Sequence, residues 1–203
     1  MTLARNIHSI ESERLVLRRI TPKDFEFFGR LHADPEVVRY IGQGSPSSWQ
    51  ESLAWLRSTL ALYESLSLGQ LAVVRKRDGE LVGRCGLSDL SVEAHPVNAA
   101  ARRVWYQRAA VPPGIELLYE RELGYTFERS QWGHGYASEA VRCIFEYVSE
   151  VLKLPRVISI IHPENGRSLR VAQRFGLEKE DVVSLAASPR ERYVWPRSLK
   201  GLT

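Results

Sequence analysis

Sulfur is scarce in this chain: two cysteines and one methionine in 203 residues. Cys85 and Cys143 lie far apart and form no CxxC pair, so neither a zinc framework nor a disulfide framework is expected. They read as reduced, structural thiols of a cytoplasmic protein, and no metal is expected. There is no apolar run of roughly 18 residues, which excludes a membrane-spanning helix and makes a membrane partner unexpected. The opening "MTLARNIHSIESER" lacks the apolar stretch of a secretory signal. No block of about five or six like charges occurs, and no nucleic-acid motif accompanies the net charge of +4. A nucleic-acid partner is therefore not expected. The arginines suit either a solvated basic surface or a basic mouth for a phosphorylated small molecule. Repeats and low-complexity segments are also missing.

A charged fraction of 26% and a hydrophobic fraction of 44% describe an ordinary globular chain, long enough to bury a core. One domain over residues 1–203 is expected. "RLVLRRI" (14–20) alternates as a strand does. "TPKD" then opens a helix, with Thr21 as cap, Pro22 in the first turn and Asp24 closing a capping box; Phe25, Phe28 and Leu31 form its apolar stripe. A second helix starts near "PSSWQES" with Leu53, Leu56 and Leu60 on one face. "GQLAVVRK" and "LVGRCGL" flank Asp78-Gly79, a strong hairpin signal. "IELLYERELGYTF" (115–127) reads as a strand, Tyr136 to Val151 as a helix and "RVISII" as a buried strand. "NGRSLRVAQRFG" is a short helix stopped at Gly176, and "ERYVWP" a last strand. That order predicts an α+β, three-layer α/β/α domain on a mixed sheet. Residues 91–114 fit neither period and read as an irregular loop. Its Arg102, Arg103, Trp105, Tyr106 and Arg108 suit a mobile surface, a substrate mouth or a homodimer contact.

"SQWGHGYASEA" (130–140) places two glycines just before a helix. The first turn of a helix leaves backbone N–H groups without intrahelical partners, and the helix dipole favours an anion there. Glycines let a phosphate approach the main chain. Two familiar phosphate loops fail: no Lys-Ser/Thr pair follows, and Ser138 stands where a dinucleotide loop has its third glycine.

Read with "HPENGRSLRVAQRFGLEKE" downstream and "SERLVLRRITPKDFEFFGRLHADPEVVRYIG" upstream, this turn resembles the GNAT acyl-CoA N-acetyltransferases. The resemblance is nearest to their ribosomal-protein N-acetyltransferase (RimJ/RimL-type) branch and spans about Glu13 to Glu180. It implies a mixed, mostly antiparallel twisted sheet flanked by helices, and acetyl-CoA as cosubstrate. It implies that Trp132, Gly133, His134, Gly135, Tyr136 and Ala137 bind the pyrophosphate of coenzyme A through backbone amides. Trp132 departs from the family's Arg or Gln at the first place. The backbone of Tyr125 and Phe127 would pair with the pantetheine arm, and Asn165 would contact the cofactor near its thioester end. Ser168 lies one turn later on the same face.

The chemistry such a family performs narrows the rest. An amine must be neutral to attack a thioester, yet a lysine-like amine has a pKa of roughly 10.4, so a base is needed. Glu122, ahead of Leu123-Gly124, is the first candidate; Glu120 shares its face of the strand. Many relatives carry a tyrosine acid seven residues after the asparagine, but Ala172 stands there. Ser168 is then the nearest hydroxyl for the departing thiolate and Tyr193 a remote alternative. Both Ser168 and Glu122 also admit plain structural readings. His134 is expected to serve through its backbone; His162 is expected to be structural, and Trp49 and Trp55 carry no assigned role. The expected activity is direct transfer of acetyl to an amine, a protein N-terminus or a small molecule. A non-catalytic acyl-CoA-binding sensor or scaffold is the alternative that Ala172 favours.

Overall fold

The computed structural model describes residues 9–65, 69–93, 105–107, 113–185 and 188–196. Its strands are β1 (Ser9–Glu11), β2 (Leu15–Arg19), β3 (Gln70–Arg75), β4 (Glu80–Glu93), β5 (Trp105–Gln107), β6 (Leu117–Phe127), β7 (Arg156–Ile161), β8 (Glu178–Leu185) and β9 (Ser188–Pro196). Its helices are α1 (Phe25–Ala33), α2 (Pro35–Val38), α3 (Trp49–Ser65), α4 (Tyr136–Tyr147) and α5 (Gly166–Arg174). The chain forms two compact units, Met1–Leu87 with Gly124–Val151, and Ser88–Leu123 with Leu152–Thr203.

In the first unit β1, β2, β3 and the start of β4 pair antiparallel in succession. Leu15 and Leu17 are fully buried while Val16 and Arg18 are half-buried, the alternation that a one-sided strand requires. The entry to α1 is fixed by Asp24. Its carboxylate accepts from Thr21 N at 2.7 Å and Thr21 Oγ1 at 3.0 Å, and takes the Arg18 fork at 2.7 and 2.8 Å. Burial pushes this carboxyl up, but the Arg18 and Thr21 hydrogen bonds outweigh it and hold it below its usual range. Pro22 to Asp24 form a 3-10 turn that runs into α1, so the α-helix proper begins at Phe25, three residues later than the capping signal suggests.

On α3 the fully buried positions are Ser52, Leu56, Thr59 and Tyr63. Leu53 and Leu60, expected on the buried stripe, are only half-buried. Tyr63 turns the face: its hydroxyl accepts from Ile20 N at 2.9 Å and donates to Gln70 O. On α4 the expected Ala140 and Ile144 are completely buried, with Val141 and Phe145 beside them, and so is Val148 just past its end. The helix ends at Tyr147 and widens into a π turn, Val148–Leu152.

In the second unit β6 runs parallel to β7, and β9 lies antiparallel between β7 and β8. Leu90, Ile158 and Val183 form its apolar centre, with Ile160 and Val194 against them. Ser91–Glu93 complete β4, and β5 pairs with it as Leu90↔Gln107, Ser91↔Tyr106 and Val92↔Trp105. The stretch 91–114, expected to be irregular, therefore carries strand at both places. Three residues are too few for a two-residue period to show against their neighbours. Arg102, Arg103 and Arg108 fall outside the described residues.

Cys85 and Cys143 are both free and buried, and burial pushes both thiols up from their ordinary range. A thiol reagent at neutral pH is expected to leave the native protein unlabelled while modifying both cysteines in urea. Stoichiometric labelling of the folded protein would remove both from the core.

Candidate functional site

The glycine turn lies in the first unit. β6 ends at Phe127, a 3-10 turn covers Arg129–Gln131, and α4 starts at Tyr136. Trp132 folds back, its indole Nε1 donating to Phe127 O at 2.9 Å. Gly133 has φ 81° and Gly135 φ 81°, the left-handed region where a side chain is strained. A Cβ on Gly133 would meet nothing within 4 Å, so the backbone angle, not crowding, calls for glycine there. The same open space leaves the main chain accessible. The first helical hydrogen bond is Glu139 N to Gly135 O at 3.1 Å. The amides of Tyr136 and Ala137 precede it and have no intrahelical acceptor. Exposed Gly133, His134 and Gly135 thus lead to donors at the positive end of a twelve-residue helix, an arrangement chemically suited to an anion such as a diphosphate.

Arg14, just before β2, was not singled out by sequence reasoning, yet it meets this turn. Its Nη1 donates to His134 O at 3.1 Å, and its Nε donates to Glu139 Oε2 at 2.7 Å. Its guanidinium carbon lies 4.8 Å from the centre of the Tyr136 ring. On that ring the His134 imidazole stacks at 5.7 Å and 14°. Ser12 Oγ and Arg14 N donate to Glu139 Oε1 at 2.7 and 2.8 Å. Burial acts to raise the Glu139 carboxyl, but these donors outweigh it and hold it low. His134 is an exposed residue beside the turn.

Also in the first unit, α1 and α3 hold an aromatic cluster. Trp55 lies 5.1 Å from Phe28 and 4.6 Å from His32, with the Arg84 guanidinium over it at 5.4 Å. Arg84 Nη1 donates to Gln70 Oε1 at 2.7 Å. Burial, and secondarily the Arg84 charge, push His32 down to about 4. Trp49 packs edge-on against Phe25 at 5.3 Å with half its surface exposed. A lone histidine in a helical sequence carries no signal for such burial, so His32 went unmarked.

The second unit holds the other candidates. Glu122 is half-buried and stands opposite Ile158 in the parallel ladder of β6 and β7. Ser159 Oγ fastens the next residue, donating to Leu123 O at 2.9 Å. Glu120 is placed differently: it pairs with Arg156 at 2.9 Å and with buried Arg192 at 3.6 Å, and Glu180 completes the cluster. Its carboxylate is a counter-ion to both guanidinium groups there. Asn165 caps α5, Oδ1 accepting from Ser168 N at 3.2 Å, so these two predicted residues do meet. Ser168 is half-buried and Ala172, one turn on, is buried. His162 Nδ1 accepts from Glu164 N at 3.1 Å in the turn that follows β7. The Tyr193 hydroxyl donates to Glu191 Oε2 at 2.8 Å; burial first, then that bond, pushes it up to about 12.

Among the described residues no helix is long and apolar enough to cross a membrane, and no cluster of His, Cys, Asp and Glu could hold a metal ion. A family model of acetyltransferase (GNAT) domains matches residues 14–178. The uncharacterized N-acetyltransferase YnaD of Bacillus subtilis (strain 168) is 39% identical over 171 residues, 84% of this chain and 83% of that protein. The acetyltransferase from Agrobacterium tumefaciens str. C58 has the same fold, with a TM-score of 0.68 at 24% identity over 96% of this chain and 98% of that one. The RimL ribosomal L7/L12 α-N-protein acetyltransferase, solved in complex with coenzyme A, has a TM-score of 0.67 at 14% identity over 93% and 97%. The mixed, mostly antiparallel sheet with flanking helices is the fold of these structures, and the chain belongs to the GNAT acetyltransferase family.

Proposed function

We propose that this chain transfers the acetyl group of acetyl-CoA directly to an amine in a ternary complex, within one catalytic domain. The observation that carries the reading is the turn from Trp132 to Ala137, whose left-handed glycines and helix-start amides suit the diphosphate of coenzyme A. A fold neighbour solved with coenzyme A supports the same ligand. The backbone of Tyr125 and Phe127 holds the pantetheine arm. Asn165, with its Oδ1 spent on the helix cap, keeps amide N–H donors for the cofactor.

Glu122, directly or through a water, takes the proton of the ammonium and frees the nitrogen lone pair. That nitrogen attacks the thioester carbonyl, and the tetrahedral intermediate collapses with cleavage of the C–S bond. Ser168 donates a hydrogen bond to the departing thiolate, and the second proton that the nitrogen sheds as the amide forms passes to that sulfur. The products are an N-acetyl amide and free coenzyme A. No covalent enzyme intermediate is involved, consistent with two buried, protonated cysteines. Such thiols also suit the reducing cytoplasm.

For the acceptor we favour a protein α-amino group, the kind of acceptor named for the RimL neighbour, over a small-molecule amine. A screen of N-terminal peptides, polyamines and amino sugars with acetyl-CoA, read by mass spectrometry, tests this. Acetylation of peptide α-amines is the expected result. Tight coenzyme A binding without turnover on any amine would instead favour a non-catalytic acyl-CoA sensor, the reading that buried Ala172 in the tyrosine's place supports.

A further inference from the structure

We infer that Arg14 is the positioning residue of the diphosphate cradle, setting the direction of its Gly135 amide and neutralising the one carboxylate in the first turn of α4. This rests on the reading that Trp132 to Ala137 holds the diphosphate of coenzyme A.

The first part follows from the peptide bond. A trans peptide is planar, so the His134 carbonyl and the Gly135 N–H point in opposite directions. Arg14 Nη1 donates to that carbonyl at 3.1 Å, which turns the Gly135 N–H away from the guanidinium. At φ 81° Gly135 has rotational freedom that no side chain of its own restricts, so an external anchor has something to fix. Arg14 also covers the residue: a Cβ on Gly135 would lie 3.5 Å from Arg14 Nη2. Tyr136, the next residue, has the guanidinium over its ring at 4.8 Å and the His134 ring stacked on it at 5.7 Å. One side chain thus bonds the residue before Gly135 and covers the ring of the residue after it.

The second part concerns charge. Glu139 is the acidic residue of the first turn of α4, where a carboxylate stabilises the helix but repels a bound diphosphate. Both its oxygens are occupied. Oε1 accepts from Ser12 Oγ and Arg14 N, and Oε2 from Arg14 Nε at 2.7 Å and Nη2 at 2.6 Å. The guanidinium side chain remains 46% exposed, so its charge also reaches solvent beside the turn. One residue therefore orients a donor and cancels a repulsion, and only a planar fork with several donors does both.

Calorimetric titration of the whole protein with coenzyme A, and with acetyl-pantetheine, which lacks the diphosphate, tests this. Arg14→Ala is expected to raise the Kd for coenzyme A about tenfold or more, the size of one lost charge-assisted hydrogen bond. The Kd for acetyl-pantetheine should stay as in the wild type. Arg14→Lys, keeping the charge without the fork, should fall between. Adding Glu139→Gln to Arg14→Ala should restore part of the lost affinity. Equal weakening toward both ligands, or no weakening toward coenzyme A, would overturn the inference. If Arg14→Ala does not fold, Glu139→Gln alone decides: unchanged or tighter coenzyme A binding supports the charge argument, and tenfold weaker binding sinks it. A wild-type protein that binds no coenzyme A would remove the proposed function and this inference together.

Discussion

Glu122→Gln is expected to lower kcat for acetyl transfer by about two to four orders of magnitude, the usual contribution of a positioned general base. Glutamine keeps the size and the hydrogen-bonding oxygen of the side chain but cannot take a proton from the acceptor ammonium. KM for acetyl-CoA should stay near the wild-type value if the proposed backbone of the glycine turn and of Tyr125 and Phe127 supplies the cofactor contacts. Glu120→Gln provides the contrast. Glu120 neutralises Arg156 and Arg192, and the Arg192 side chain is only 6% exposed. Removing a counter-ion from a buried guanidinium destabilises the fold, so this variant should lower Tm while kcat on the surviving protein holds. Measuring both variants on one confirmed acceptor, with kcat, KM and Tm for each, separates the roles. Wild-type turnover by Glu122→Gln would eliminate it as the base; a large kcat loss confined to Glu120→Gln would reverse the assignment.

Two carboxylates on one face of one strand look equivalent in sequence, and only the identity of their neighbours distinguishes them. Arg192 reaches Glu120 from a strand far along the chain, and no local pattern announces it. The same limit hid Arg14, whose partner Glu139 is 125 positions away. What was legible depended on short-range physics. The Asp78-Gly79 hairpin, the capping box at Thr21 and Asp24, the apolar face of α4 and the stop at Gly176 are all written within a few residues. So was the double-glycine turn, because left-handed backbone leaves a direct compositional mark. β8 went unread, since "EKED" shows no apolar alternation and its pairing with β9 comes from tertiary context. The four-residue helix α2 is hidden for a related reason. Asp34 caps it through Glu36 N at 2.9 Å, but it is too short to express a helical period.

The stability of the fold should fall steeply between about pH 6.5 and pH 4, and His32 is the cause. Its ring is buried against Phe28 and Trp55, with Arg84 close by, and burial followed by that charge pushes it down to about 4. In the unfolded chain histidine titrates near its ordinary value of about 6.5. Between these two values the unfolded state binds a proton that the folded state refuses. Stability therefore rises with pH across the window and is lost as pH drops through it. The interval corresponds to about 3 kcal/mol, a large share of the stability of a chain this size. Asp24 and Glu139 act with the same sign but lower on the pH scale, because, against burial, hydrogen bonds from Arg18 and Thr21 and from Ser12 and Arg14 hold the two carboxyls below their usual range. Urea midpoints taken between pH 7 and pH 4.5 consequently isolate the histidine. His32→Gln is expected to lose packing energy at pH 7 yet show a nearly flat profile across the window, so that its deficit relative to the wild type narrows toward pH 4.5. A variant whose midpoint falls in parallel with the wild type would show that the proton is taken up elsewhere. Because His32 on α1 packs against Trp55 of α3, acidification is expected to act on this aromatic cluster at a higher pH than on the carboxylate pairs that fix the helix starts.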